Sequence, residues 1–240
     1  MPSVSLEEML KSGVHFGHKL GRLYPKMKPF IFGERNGISI IDLEKTKEKI
    51  EAAQEYIKGI AQKNGTLLMI GTKRQAQEIV KKYAVSIKMP YIIGRWIGGA
   101  FTNFSVISKM IAKFTKLKQE REQGELNKYT KKEQLKIDEE ITKLDSLIGG
   151  IENLKKLPDA VYIVDVKNEM TAVREAKKKK IPIIAIVDVN NSPEGIDYVI
   201  PANDDATKAI EYITRVLTES FEEGMAEKKE EAEIKEEIKK

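Results

Sequence analysis

The sequence predicts an α/β fold in which a doubly wound parallel sheet carries an inserted antiparallel helical hairpin. Short, wholly apolar runs alternate with amphipathic helical segments, as they do in a parallel sheet that helices cover on both faces. This alternation stops between residues 103 and 157, where the sequence has no strand pattern and apolar residues recur at steps of three and four. Such spacing is typical of two helices that pack along a seam.

Five apolar runs are interpreted as strands of the parallel sheet, and each is followed by a turn residue or a helical pattern. They are residues 66–70, 90–93, 160–164, 181–187 and 198–200. We expect helices from about Glu44 to Asn64, after the first run to about Ser86, from Asp165 through Lys179, and on to about Phe221 after Asp204 or Asp205. Aspartate is a favoured N-cap, so one of these two residues is expected to cap the last helix.

The chain divides into four segments on this interpretation. Residues 1–102 form the first part of the α/β domain, residues 103–157 the helical hairpin, and residues 158–221 the second part of the domain. Residues 222–240 form a charged tail with few apolar residues, which we expect to be disordered or a frayed helix. Within the first segment, Ser5 to Lys11 reads as a capped helix, and residues 30–32 and 38–41 read as a strand hairpin around Gly33–Gly37.

The charge is unevenly distributed along the 240 residues. The net charge is +5, and the last 20 residues carry eight Glu and five Lys, or −3, so the first 220 carry 5 + 3 = +8. A basic body favours a polyanionic partner. The absence of cysteine excludes disulfides and thiolate metal sites, and the lack of a long apolar run leads us to expect a soluble, cytoplasmic protein with no membrane partner.

A basic, aromatic loop lies in the stretch from Gly13 to Thr46. Its cations are Lys19, Arg22, Lys26, Lys28 and Arg35, and its rings are Phe16, Tyr24, Phe30 and Phe32. Cations bind phosphate oxygens and flat rings stack on bases or sugars, so we hypothesise that this loop lies on folded RNA. The alternative is a long loop that crosses a domain edge with its charges in solvent.

The turn Gly71-Thr72-Lys73-Arg74 follows the first predicted strand and opens a helix. A helix N-terminus with a hydroxyl and two cations is a candidate phosphate site. The spacing is not that of a P-loop, and glycine and threonine also serve such turns for purely structural reasons. Lys73 and Arg74 are therefore candidate nucleic-acid contacts.

Four aspartates follow the later strands: Asp165, Asp188, Asp204 and Asp205. Carboxylates at strand ends hold Mg²⁺ in phosphoryl-transfer enzymes, so the alternative function is a magnesium-dependent phosphate-processing enzyme using Asp165, Asp188 and Asp204. The same residues also cap helices and turns. Because no nucleophile, base and ligand converge, we assign no catalytic residue, metal, cofactor or small-molecule substrate.

The segment Gly94 to Phe104 holds Arg95 and the single tryptophan, Trp96. Arg95 is a candidate RNA contact, whereas Trp96 either stacks on RNA or fills the joint between body and hairpin. His15 and His18 form an HxxH pair that lacks further metal ligands in view, so we interpret them as buried or RNA-facing. The lysines of the hairpin are either solvated or bind phosphates or a protein, which leaves a protein-only adaptor as a third hypothesis.

Six motifs in order resemble the bacterial family of ribosomal protein two of the small subunit, from about Ser5 to Phe221. They are GVHFGH, YPKMKPFIFGERNGISIIDLEKT, GTKRQA, RWIGGAFTNF, LPDAVYIVDV and IPIIAIVDVNNSPEGIDYVIPANDDA. The resemblance implies a flavodoxin-like fold and a non-enzymatic component of the small ribosomal subunit. It also implies contact with small-subunit ribosomal RNA and with neighbouring proteins, including recruitment of the OB-fold protein that captures mRNA for translation initiation. By position, the RNA contacts that it implies are Lys19, Arg22, Lys26, Lys28, Arg35 and Arg95.

Overall fold

The computed structural model describes the backbone of residues 2–237 and the side chains of residues 2–126 and 128–228. This part of the chain contains seven α-helices and eight β-strands. The helices are Leu6–Ser12 (α1), Leu43–Gln62 (α2), Arg74–Ser86 (α3), Phe104–Glu122 (α4), Lys131–Ile148 (α5), Met170–Lys178 (α6) and Thr207–Glu237 (α7). The strands are Phe16–Lys19 (β1), Ile31–Arg35 (β2), Ile38–Ile41 (β3), Leu67–Ile70 (β4), Tyr91–Ile92 (β5), Ala160–Val164 (β6), Ile183–Val187 (β7) and Tyr198–Pro201 (β8).

The last five strands form one parallel sheet in the order β5-β4-β6-β7-β8. This is the flavodoxin-like order, in which the first strand lies between the second and the third. The predicted fold class is confirmed. Every residue of β4, β6 and β7 is buried, because helices cover both faces, and this explains why these strands are uninterrupted apolar runs.

Each face of the sheet has its own core, since successive strand residues point to opposite faces. On one face Leu67 and Met69 pack with α2, α3 and α7. On the other face Leu68 and Ile70 pack with α6 and with Trp96 and neighbouring residues. The carboxyl ends of β4, β6, β7 and β8 consequently meet along one edge, where the polar residues after each strand are brought together.

A separate antiparallel sheet has the order β1-β3-β2. The predicted hairpin is confirmed, but its turn is narrower than expected, because β2 continues to Arg35 and only Asn36 and Gly37, with φ of 54° and 76°, form the turn. Positive φ at both positions matches a two-residue hairpin turn. β1 was not predicted, since its sequence FGHK has no alternating apolar pattern.

Gly17 shows why β1 can occupy this place. A Cβ at this position would lie 2.9 Å from a methyl carbon of Val189 and 3.0 Å from the Ser39 carbonyl oxygen. Only glycine lets the strand approach both neighbours so closely. Tertiary packing against β3 and the end of β7, rather than local pattern, makes this segment a strand.

The helices α4 and α5 form the predicted hairpin. Their buried seam consists of Ile107, Ile111, Phe114, Ile141 and Ile148, and the connection passes through Gly124, whose φ is 74°. The cations Lys113, Lys118 and Arg121 pair with carboxylates of Glu140, Glu152 and Asp138, and Lys116 pairs with Glu120. Much of the hairpin's positive charge is therefore matched by acidic residues within or next to it.

Replacing Thr130 with Ala should cost about 1 kcal/mol, because Thr130 caps α5. Its side chain accepts from the Glu133 amide, while the Glu133 carboxylate accepts from the Thr130 amide at 2.9 Å. We expect faster amide hydrogen exchange over residues 131–134. The matched control is Thr142→Ala on the exposed face of the same helix, for which no loss is expected, and equal exchange in the two variants would contradict the prediction.

The last helix, α7, continues from Thr207 through Glu237, so the backbone of residues 222–237 is helical, and residues 238–240 lie outside the described part. The prediction that Asp204 or Asp205 caps this helix was wrong. Asn203 accepts the amides of Asp205 and Ala206 through its Oδ1, while the two aspartates point to Lys73. None of the helices described between residues 2 and 237 is both long enough and apolar enough to cross a membrane.

Candidate nucleic-acid interface

The basic loop connects β1 to β2 through two short 3-10 segments, Leu20–Arg22 and Pro25–Phe30. Two contacts with the body of the fold hold its backbone in place. The Tyr24 amide donates to the Val189 carbonyl at 2.8 Å, and the Met27 side chain is fully buried in the core beside the sheet. The cations between these anchors thus project from a backbone that is already held in place.

Six of the eight predicted RNA-binding residues are exposed cations that form no ion pair with any described residue. They are Lys19, Arg22, Lys28, Arg35, Arg74 and Arg95. Lys19 and Arg35 both lie opposite Ile38, one on each side of β3, and so sit about 10 Å apart across the small sheet. This arrangement leaves the positive charge of the loop available to an external anion.

Lys26 also projects into solvent, but it pairs with the Glu194 carboxylate. Both side chains are more than half exposed, and exposed pairs of this kind contribute little to stability. The pair therefore holds Lys26 only weakly, and its side chain faces solvent as the sequence predicted.

Lys73 differs from the other seven residues, because it turns inward. Its side chain is 14% exposed, and its Nζ lies 3.4 Å from Asp165 Oδ2, 2.8 Å from Asp204 Oδ1 and 2.6 Å from Asp205 Oδ1. Burial alone would lower the pKa of Lys73, but the hydrogen bonds to Asp204 and Asp205 outweigh it and raise the pKa. Lys73 therefore neutralises the chain's own carboxylates and is not the outward-facing cation that the sequence predicted.

The neighbouring Thr72 is also used internally, since its hydroxyl donates to the buried Glu169 carboxylate. Burial raises the pKa of Glu169. The predicted phosphate site at the start of α3 thus has its hydroxyl and one of its two cations bound within the protein, and only Arg74 faces outward.

The aspartates after β6, β7 and β8 meet at the carboxyl edge of the sheet, as the topology requires. Donors of the chain occupy their oxygens. Asp165 accepts from the Asn168 side chain at 2.8 Å and from two backbone amides, and Asp204 accepts from Lys73 and from Asn191 at 3.1 Å. Burial, together with the charge of Asp165, raises the pKa of Asp204 to about 6. These contacts support a structural role.

His18 joins this cluster, whereas His15 does not. His18 Nδ1 lies 3.1 Å from Asp188 Oδ2, and its Nε2 lies 3.3 Å from Asp205 Oδ2. One ligand atom from each of these three residues lies within 4.8 Å of the others, so they could hold a metal ion. His15 instead packs on Phe16, with ring centroids 4.0 Å apart. The HxxH spacing therefore did not identify the set, since the two carboxylates are at least 170 residues away in sequence.

Trp96 belongs to the core, while the adjacent Arg95 is exposed. The ring of Trp96 packs edge-on against Phe101 at a centroid distance of 4.9 Å, and its Nε1 donates to Glu175 at 3.2 Å. Trp96 is therefore not a surface ring available for stacking on RNA. Arg95 projects from the same segment, so its position depends on how that segment is held.

Glu175 of α6 holds that segment, and sequence reasoning missed it. Its carboxylate accepts from Trp96 Nε1, from the amides of Gly99, Phe101 and Thr102, and from the Thr102 hydroxyl, at 2.8–3.2 Å. Burial alone would raise the pKa of Glu175, but the amides of Gly99, Thr102 and Phe101 outweigh it and lower the pKa. The available signal was a charged residue beside Ala172, Val173 and Ala176 on the inward face of α6.

An apolar groove lies beside the small sheet, between α1 and the strands β2 and β3. Its volume is about 580 Å³, and its lining includes Leu6, Leu10, Phe32, Ile40 and Leu43. Phe32 is 78% exposed and Leu10 54%. Apolar side chains clustered at a surface in this way are typical of a protein-binding site.

The comparisons with known proteins agree with the resemblance. The family model for ribosomal protein S2 matches residues 9–224. The small ribosomal subunit protein uS2 of Coprothermobacter proteolyticus is 47% identical over 224 residues, covering 93% of this chain and 84% of that protein. The uS2 protein of Pseudarthrobacter chlorophenolicus is 46% identical over 226 residues, covering 94% and 78%.

These matches confirm the resemblance, and with it the expectation of a structural, non-enzymatic protein of the small ribosomal subunit. The flavodoxin-like sheet, the helical hairpin and the sequence matches thus lead to one conclusion: the chain belongs to the ribosomal protein S2 family.

Proposed function

We propose that this chain binds small-subunit ribosomal RNA through the exposed cations around the β1–β2 loop, and that it thereby takes its place in the small ribosomal subunit in the cytoplasm. The observation that carries the proposal is a row of unpaired cations on an anchored backbone. They are Lys19, Arg22, Lys28 and Arg35, together with Arg74 and Arg95 on the outer surface of the fold and Lys26, whose partner is exchangeable. Residues 1–102 and 158–221 act as the rigid body, with residues 103–157 as its inserted hairpin.

The physical mechanism is neutralisation of phosphates. Each lysine or arginine that contacts a phosphate releases a condensed counterion, which makes binding depend on salt. Because the Tyr24 amide and the buried Met27 hold the loop in place, little backbone entropy is lost when RNA binds.

We also propose that the apolar groove beside α1 supports recruitment of the mRNA-binding OB-fold protein, and so translation initiation. The groove is apolar, and its most exposed ring, Phe32, has no other described function in the fold. Phe32 lies on the same small sheet as Lys19 and Arg35. A protein partner could therefore dock beside the RNA-binding cations without displacing them.

The double variant Arg22→Ala, Lys28→Ala should bind small subunits that lack this protein more weakly and with a flatter salt dependence. The magnitude of the slope of log affinity against log salt should fall by roughly 0.7 to 0.9 for each phosphate that the variant no longer binds. Binding is measured between about 50 and 200 mM salt.

The matched control is Lys47→Ala, Lys49→Ala, which removes the same charge from α2, where both lysines pair with acidic neighbours. The control should keep the original slope. An unchanged slope for the Arg22, Lys28 variant would contradict the proposal. Resistance of the complex to ribonuclease would instead favour the adaptor that contacts proteins alone.

A further inference from the structure

The exposed face of α6 carries only positive charge. Between residues 167 and 180 the exposed side chains include six cations and no carboxylate; the cations are Lys167, Arg174, Lys177, Lys178, Lys179 and Lys180. The two acidic residues of this stretch, Glu169 and Glu175, are buried and bound to Thr72 and to the Trp96 segment. No carboxylate of this stretch therefore lies on the outer surface of the helix.

Several cations on the helices α2 and α4 pair with carboxylates of this protein. On α2, Lys47 and Lys49 pair with Glu51 and Glu48. On α4, four cations pair with carboxylates of the hairpin or of Glu152. Among described residues, none of the six cations on and next to α6 forms an ion pair. In this respect the face resembles the β1–β2 loop, whose cations other than Lys26 are also unpaired among the described residues.

Helix electrostatics explain only part of this pattern. Lysines at a helix C-terminus interact favourably with the helix dipole, an effect confined to the last turn. This accounts for Lys177 and Lys178. Lys167 precedes the helix, where a cation is unfavourable, and Arg174 lies in its middle. The helix dipole therefore does not account for the positive charge of these two residues.

The face is continuous with the β1–β2 loop. Glu194 pairs with Lys26 of the loop. Lys26 lowers the pKa of the Glu194 carboxylate, and the charge of Lys177 adds to this effect. The Lys177 side chain crosses over Gly195, where an added Cβ would collide with its Nζ. Gly195 has φ of 79°, a backbone conformation that favours glycine, and the absence of a side chain leaves room for the crossing lysine. Lys26 and Lys177 thus flank one carboxylate and join the two cationic surfaces.

We propose that the outer face of α6 is a second contact with the ribosomal RNA backbone, formed by Lys167, Arg174, Lys177 and Lys178. The inference rests on the proposed function and extends it from the β1–β2 loop to the helix α6. A sugar-phosphate backbone fits this face better than an acidic peptide does, because the exposed cations extend from Lys167 to Lys180 and continue into the loop surface.

The test is the triple variant Lys167→Gln, Arg174→Gln, Lys178→Gln, assayed for binding to small subunits that lack this protein. Removing these three cations should lower the magnitude of the salt slope by roughly 2 to 3, at 0.7 to 0.9 for each phosphate. The control Lys47→Gln, Lys49→Gln, Lys82→Gln removes the same charge from lysines that pair with carboxylates, and it should keep the original slope. Circular dichroism and thermal unfolding establish that each variant is folded.

A second measurement does not depend on the charge variants. The chain has no cysteine, so Thr171→Cys places a single thiol on the exposed face of α6. An iron chelate attached to this thiol generates hydroxyl radicals at that place. The bound protein should cleave the ribosomal RNA backbone close to this position. The same chelate at Ala52→Cys, on the exposed face of α2, serves as the control for cleavage at a distance.

The outcomes separate this inference from the proposed function. If the Arg22, Lys28 variant flattens the salt slope and the α6 variant does not, the inference fails and the proposed function stands. If neither variant changes the slope, both fail. Weaker binding of the α6 variant at unchanged slope, without RNA cleavage from residue 171, would show that α6 faces a protein and would overturn the inference.

Discussion

Replacing Glu175 with Gln should lower the free energy of unfolding by about 3 kcal/mol, since hydrogen bonds to a charged group contribute about 1.5–3 kcal/mol each. Both carboxylate oxygens accept N–H groups: one from Trp96 and Gly99, the other from Phe101 and Thr102. The glutamine side chain has an NH₂ group in place of one oxygen, and this group cannot accept the N–H donors on its side. The melting temperature should fall by about 6–12 °C, at 2–4 °C per kcal/mol for a chain of this size.

Urea unfolding followed by circular dichroism measures this loss. The matched control is Glu78→Gln on the exposed face of α3, which should change stability by less than about 0.5 kcal/mol. Because Glu175 holds the segment that carries Arg95, hydrogen exchange should also accelerate at residues 96–102 before the sheet strands are affected. A loss no larger than that of the control would contradict the structural role assigned to Glu175.

The stabilisation from Glu175 should depend on pH in one direction. Its pKa is lower in the folded protein than the ordinary glutamate value, so the folded state binds fewer protons and its stability falls as acid is added. The contribution is fully present above about pH 4.3, the unfolded value, and is lost as pH falls through the folded pKa. The stability difference between the wild type and Glu175→Gln should therefore be constant from pH 7 to 5 and shrink at lower pH.

Replacing Lys73 with Met should also cost about 3 kcal/mol, because removing one member of a buried charged group leaves the others uncompensated. Asp165 and Asp204 are buried beside Lys73, and Asp205 is half exposed. Equilibrium unfolding at pH 7 measures the loss. Lys81→Met, on the exposed face of α3, which begins directly after Lys73, is the control and should be nearly neutral.

A double variant distinguishes charge pairing from packing at this place. Adding Asp204→Asn to Lys73→Met removes one of the uncompensated charges, so the double variant should be more stable than the sum of the two single losses predicts. Strict additivity would indicate that Lys73 acts through its aliphatic chain alone. Binding of the single variant to RNA should keep its salt slope, since Lys73 contacts the protein's own carboxylates.

Periodicity alone was sufficient for most of the fold. The predicted runs 66–70, 160–164 and 181–187 contain the central strands Leu67–Ile70, Ala160–Val164 and Ile183–Val187, and the steps of three and four through Ile107, Ile111 and Phe114 became the hairpin seam. These patterns are local, and they report which residues must face a core whatever the neighbours are. The family resemblance depended on motifs in the same order along the chain and could likewise be found from sequence.

The site was only partly predictable. The residue types in the loop identified Lys19, Arg22, Lys28 and Arg35 as cations with no local partner, and the structure leaves them exposed. Lys73 looked equivalent in sequence but is bound by three aspartates. The exposed cationic face of α6 was missed because the sequence alone does not show that Glu169 and Glu175 turn inward.

The alternation of strands and helices, the inserted hairpin, the basic character of the body and the family motifs can all be read from the order of residues in the chain. The folded structure was needed to show which cations are free, that Phe16–Lys19 is a strand, and that Glu175 and His18 bind segments far away in sequence. Apolar periodicity depends on neighbours within one or two turns, whereas the Lys73–Asp204 and His18–Asp188 pairs join groups 131 and 170 residues apart.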